Sequence, residues 1–126
     1  MTASESIPRY DLLVSLDRSD RTAALALLDL STGALLTESV LDLAPEALDG
    51  WWRTLRAAHP QARIAVAFEQ PAPNLLAFFA PRQPAAIYAL NPSATWAYRD
   101  STGHNNYNNG AFTTARAVVD GVACAQ

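Results

Sequence analysis

Asp11-Leu12-Leu13-Val14-Ser15-Leu16-Asp17 decides the fold. It is an apolar run that stops on a carboxylate. Strands of Leu and Val that are buried on both faces read as continuous apolar runs. Closing such a strand on Asp carries a desolvation penalty unless a cation meets it. In open α/β sheets, ligands gather beyond the carboxyl ends of the strands. Asp17 is therefore a candidate metal ligand. The competing reading makes it the opening residue of a turn, Asp17-Arg18-Ser19-Asp20, because Asp favours turns.

Working outward, residues 1–9 read as a flexible leader and a first strand spans Tyr10–Asp17. Thr22–Leu30 is rich in Ala and Leu, and its periodicity alone fits helix or strand. The turn Ser31-Thr32-Gly33 settles it, since a Gly-containing turn between two short runs reads as a hairpin. Thr22–Leu30 and Ala34–Leu43 are thus expected as antiparallel strands. Pro45 then opens a helix at its first turn, where a missing N–H is harmless. Leu48, Trp51, Trp52 and Leu55 share one face of that helix, and His59-Pro60 ends it. The two tryptophans read as core rather than as a ligand platform, because large aromatics dominate cores.

Arg63–Glu69 repeats the opening pattern: Arg63-Ile64-Ala65-Val66-Ala67-Phe68-Glu69 is an apolar run closing on a carboxylate. After a rigid turn, Gln70-Pro71-Ala72-Pro73-Asn74, Asn74 or Pro73 begins a short helix, Leu75–Ala80, ended by Pro81. Ala85–Leu90 is a further apolar strand, followed by Asn91-Pro92-Ser93, with Ser93 a candidate cap for 94–99. Asp100 to Gly110 is polar and reads as a loop. A last helix is expected over Ala111–Ala123, with Phe112, Ala115, Val118, Val119 and Val122 on one face.

The order β-β-β-α-β-α-β-α implies an α/β layer fold with three antiparallel leading strands, a mixed sheet and flanking helices. That is the order of the ribonuclease H-like fold. There the first strand and the next parallel strand lie side by side, which would bring Asp17 and Glu69 together.

The 126 residues suit one domain, taken here as 10–126. Hydrophobic residues at 50% and charged residues at 17% give a core and exclude wholesale disorder. A net charge of -3 excludes a whole-surface electrostatic grip on nucleic acid, though not a local groove. With Cys124 as the single cysteine, no internal disulfide forms, and a reducing cytoplasm is the expected location. No apolar run approaches the roughly 20 residues of a membrane span. Cys124 reads as a small hydrophobe of the last helix.

Two carboxylates on adjacent strand ends repel unless a divalent cation or a proton joins them. Mg²⁺ takes hard oxygen ligands and keeps some of its waters. Two such ions about 4 Å apart activate a nucleophile and stabilise a leaving oxygen in phosphodiester cleavage. A complete two-ion site needs further acids, expected near the start of the last helix. The polar loop holds amides there instead: Asn105, Asn106, Asn108 and Asn109. Asn offers a carbonyl oxygen without charge. The same run also reads as a plain hydrophilic loop turning at Asn109-Gly110. His59, His104 and Cys124 make no zinc set, no Gly-x-Ser-x-Gly turn occurs, and no Gly-rich phosphate loop comes after the first strand, as an ATPase of this superfamily would need.

The chain resembles the N-terminal RuvC-like domain of the DEDD transposases, the bridge-RNA-guided recombinases of insertion-sequence family 110. The resemblance rests on Leu13-Val14-Ser15-Leu16-Asp17-Arg18-Ser19-Asp20, then Ala65-Val66-Ala67-Phe68-Glu69-Gln70-Pro71, then Ala89-Leu90-Asn91-Pro92. The family then has Lys-Thr-Asp-x-x-Asp-Ala before a helix. Here that place reads His104-Asn105-Asn106-Tyr107-Asn108-Asn109-Gly110. The resemblance covers most of residues 10–120, and the order and spacing of short motifs carry it.

It implies Asp17, Glu69, Asn106 and Asn109 as the catalytic and Mg²⁺-ligating positions, with Mn²⁺ as an alternative ion. The last two depart from the family's acids, which implies an impaired site. Deliberate inactivation and natural degeneration both fit that departure. The resemblance also implies donor and target DNA as partners, a guide RNA, homo-oligomers in the full-length protein, and a C-terminal domain bearing a catalytic serine. That domain has no counterpart here, so the chain is expected to be a fragment or truncated form. The rival expectation is a catalytically inactive module of the same fold that binds nucleic acid or only assembles with a partner.

Overall fold

A computed structural model describes residues 10–90. Within them run β1 (Leu12–Arg18), β2 (Thr22–Asp29), β3 (Ala34–Asp42), α1 (Pro45–Ala58), β4 (Ile64–Glu69), α2 (Pro73–Phe79), a 3-10 turn (Ala80–Arg82) and β5 (Ala86–Leu90). The strands form one mixed sheet in the order β3-β2-β1-β4-β5. β1 and β2 are antiparallel, as are β2 and β3, whereas β4 is parallel to β1 and β5 to β4. The expected leader, the 94–99 segment, the polar loop and the last helix lie outside the described residues.

The opening run is apolar apart from Ser15 because β1 is the middle strand and both its faces are covered. Leu12, Val14 and Leu16 join one core cluster, and Leu13 joins the other. The first cluster also takes Leu25 and Leu27 of β2, Ile64, Val66 and Phe68 of β4, Leu48, Trp52 and Leu55 of α1, and Leu75 and Phe79 of α2. So α1 and α2 both pack on the even-numbered face of β1. Phe79 is fully buried at the centre of this layer. Its ring lies 5.5 Å from that of Trp52, 6.3 Å from Phe68 and 4.9 Å from Phe78, centroid to centroid. Trp51, expected on the same helix face, is half-buried at the margin of the cluster.

Local chemistry fixes the connections. In the β2–β3 hairpin, Gly33 takes φ +78°, a conformation that suits glycine best. Its N–H donates to the Asp29 carbonyl at 2.8 Å. One carboxylate oxygen of Asp29 accepts from both the N–H (2.9 Å) and the hydroxyl (2.6 Å) of Ser31. These bonds to the charged form hold the Asp29 carboxyl below its ordinary value. Ahead of α1, Asp42 accepts from the Ala44 N–H at 2.9 Å, and Pro45 stands in the first turn.

Two details depart from the expected elements. A register shift between Leu27 and Leu28 marks an irregularity in the β2–β3 pairing. β3 is also an edge strand, and it leaves Val40 73% and Leu36 47% exposed. The short helix begins at Pro73, one of its two expected starts, and Pro81 lies within the 3-10 turn after it.

Candidate functional site

Side chains alternate between the two faces of a strand. Because Leu12, Val14 and Leu16 face α1 and α2, Asp17 falls on the other face with Leu13 and Ser15. On β4, Ile64, Val66 and Phe68 face the helices, so Glu69 shares the opposite face with Ala65 and Ala67. The parallel register pairs Ser15 with Ala67 and Leu16 with Phe68. One step further sets Asp17 beside Glu69. Both residues are half-buried and sit at the carboxyl ends of the two central parallel strands.

Asp17 does not open a turn. It lies inside β1 and pairs with Ala24 across the hairpin, and the strand continues to Arg18. The turn belongs to the next residues. The Ser19 N–H donates to the Thr22 carbonyl at 2.9 Å, and the two hydroxyls lie 3.1 Å apart. The strand thus delivers Asp17 with β-sheet rigidity.

Glu69 is positioned through its neighbour Gln70. The Gln70 N–H donates to the Leu90 carbonyl at 2.8 Å, and its side-chain amide donates to the Ala89 carbonyl at 2.9 Å. Both bonds tie the end of β4 to the end of β5. Arg18 adds a clasp from the other side, its guanidinium donating to the Pro71 carbonyl at 2.7 Å. Sequence reasoning missed this contact, since it spans 53 positions and neither partner advertises it.

The surroundings of the pair are small. Ala24 of β2 pairs with Asp17, and Ala26 of β2 and Ala67 of β4 flank Ser15 on the same face. Ser15 is fully buried, the single buried polar side chain among the described residues, and its hydroxyl has no hydrogen-bond partner. An unsatisfied buried hydroxyl is costly. Its only sequence signal is a Ser inside an apolar run.

The donor set suits a hard cation. Mg²⁺ is commonly held by one or two carboxylates with water completing the shell, and the structure brings two carboxylates together. Among the described residues no cluster of three or more His, Cys, Asp or Glu assembles. The other two predicted positions, Asn106 and Asn109, lie outside the described residues, as does His104.

A second feature opens on the opposite face at the same sheet end. Arg18, Asp20 and Arg21 border a concavity of about 280 Å³ whose far wall is the start of α1. No helix among the described residues is long and apolar enough to cross a membrane.

No protein-family model matches the chain, and no curated protein matches it by sequence. Solved structures do. The structure of Thermus thermophilus RuvC superposes with a TM-score of 0.54 at 16% identity, covering 91% of this chain and 99% of that one. T. thermophilus RuvC in complex with a Holliday junction substrate gives 0.52 at 15% identity, with the same coverage. Likeness at this identity speaks for the fold: this chain has the RuvC-like form of the ribonuclease H fold, with Asp17 and Glu69 at the ends of its central parallel strands.

Proposed function

We propose that the chain is the RuvC-like domain of a DNA transposase or site-specific recombinase, serving metal-dependent phosphodiester cleavage and strand transfer. One observation carries this reading: the parallel register of β1 and β4, which sets Asp17 beside Glu69 on one face of the sheet. The likeness to a RuvC bound to a Holliday junction supports DNA as the partner.

Asp17 and Glu69 would hold Mg²⁺ or Mn²⁺, with Asn106 and Asn109 in the third and fourth ligand positions. When bound, the ion supplies charge stabilisation at the phosphoryl oxygens and lowers the pKa of water. The protein's own part is to hold the strand ends that carry both carboxylates, through the Gln70 and Arg18 contacts. The neutral amides at 106 and 109 supply no charge, so cleavage by this chain is impaired. Donor and target DNA, a guide RNA and a homo-oligomeric full-length protein follow from the resemblance to the DEDD transposases.

A second reading has its own observation. The two amides favour a catalytically inactive module that binds nucleic acid or only assembles with a partner. Incubating branched DNA with Mn²⁺ separates the two. Cleavage by the Asn106→Asp/Asn109→Asp chain, lost again on adding Asp17→Asn, supports the recombinase reading. Salt-dependent binding without cleavage by any variant supports the inactive module.

A further inference from the structure

The concavity behind Asp17 lies apart from the carboxylate pair. Its floor is apolar, made by Leu43, Leu48 and Leu75. Its rim carries two guanidiniums, Arg18 and Arg21, and two carboxylates, Asp20 and Asp42. The ion pairs found among the described residues are those of Asp49 with Arg53 and Arg82, so the rim charges do not pair with one another. Arg18 is held in place by the Pro71 carbonyl, and Asp42 by the Ala44 N–H.

The balance of charge selects the ligand. A phosphate dianion would gain from the arginines but would also meet both carboxylates. A neutral planar group with apolar faces and mixed hydrogen-bonding edges meets no such conflict. Its faces lie on leucine and on guanidinium planes, which stack well on aromatic rings. Its donors meet carboxylates, as a cytosine amino group does with Asp or Glu, and its acceptors meet arginine, as guanine edges do. A volume of about 280 Å³ is just under the usual range of small-molecule pockets, about 300–1,000 Å³. That is room for one base and its sugar, not for a duplex.

Position points the same way. Arg18 directly follows Asp17 and projects to the opposite face of the same strand end. We infer that this pocket receives a single unpaired nucleobase from a DNA strand whose backbone crosses the Asp17–Glu69 end of the sheet. The choice of a base over other planar heterocycles rests on the proposed function. An unpaired base is also the cheapest one to draw from a stack.

The test is an amide NMR titration of the full chain with each deoxynucleoside 5′-monophosphate, with deoxyribose 5-phosphate as the base-free control. Shifts are expected at Arg18, Asp20, Arg21, Leu43 and Leu48 with the nucleotides and not with the control. Asn74→Trp, which fills the mouth beside Leu75, and Arg21→Ala, on an exposed residue, should each weaken binding by roughly 5- to 100-fold, the usual worth of one stacked base. Equal shifts with deoxyribose 5-phosphate overturn the inference in favour of an anion site. No shift at these amides with any nucleotide overturns it outright. Mn²⁺ added to the Asn106→Asp/Asn109→Asp chain reads the other site separately. Nucleotide shifts without line broadening near Asp17 and Glu69 leave the pocket standing and remove the nuclease reading.

Discussion

Replacing Ser15 by Ala should make the protein more stable. Ser15 is fully buried and its hydroxyl has no partner. Leaving such a group unsatisfied costs about 1–3 kcal/mol. Across the sheet it pairs with Ala26 on one side and Ala67 on the other, so alanine at 15 leaves no larger hole than its neighbours do. The expected gain is therefore about 1 kcal/mol or more. For a chain of this size that raises Tm by roughly 3–5 °C. Urea unfolding followed by tryptophan fluorescence measures it, and the midpoint should rise with an unchanged slope. Ser15→Val is the control. Added methyl groups in a filled site should cost about 1–3 kcal/mol. A loss of about 1 kcal/mol or more in Ser15→Ala would refute the reasoning, because it would mean the hydroxyl is hydrogen-bonded in the folded protein.

Two further predictions concern the core and the hairpin. Phe79→Ala empties a fully buried site ringed by Trp52, Phe68 and Phe78. It should cost about 3–5 kcal/mol by urea denaturation, a large share of the roughly 5–15 kcal/mol typical of a domain. The Asp29 carboxyl is held below the usual carboxylate range by its bonds from Ser31. A lowered folded pKa gives stability that is complete above the unfolded pKa and fades as pH falls through the folded one. Melting scans from neutral pH into strong acid should therefore show Asp29→Ala less stable than the parent above about pH 4, the ordinary Asp value, with the gap closing at the acid end.

Much of this molecule is legible in its sequence because its decisive signals are local. Two apolar runs ending on acids mark the central parallel strands, since only strands covered on both faces tolerate such runs. Gly33 marks the hairpin, because its positive φ suits glycine best. Pro45 and the Leu48, Trp52, Leu55 spacing mark α1. The features that escape the sequence depend on distant partners. The irregularity at Leu27/Leu28 arises between two strands, and the edge position of β3 leaves Leu36 exposed, though Leu36 looks like core in isolation. The Arg18 clasp needs Pro71, and the pocket beside it needs α1 and α2 to converge on the end of β1. Asp17 shows both sides of this. Its neighbours alone favour a turn, and only the pairing with Ala24 places it inside the strand.

Thermal melts with and without Mn²⁺ test most directly whether Asp17 and Glu69 form the core of a metal site that Asn106 and Asn109 have weakened. They are run on this chain and on Asn106→Asp/Asn109→Asp. A ligand at about 100 times its Kd stabilises the folded state by about 2.7 kcal/mol. The expected result is a Mn²⁺-dependent rise in Tm for the double variant, little or none for this chain, and loss of the rise when Asp17→Asn is added. Melts that ignore Mn²⁺ in every variant would contradict the metal site, leaving Asp17 and Glu69 as neighbouring acids with no metal to hold.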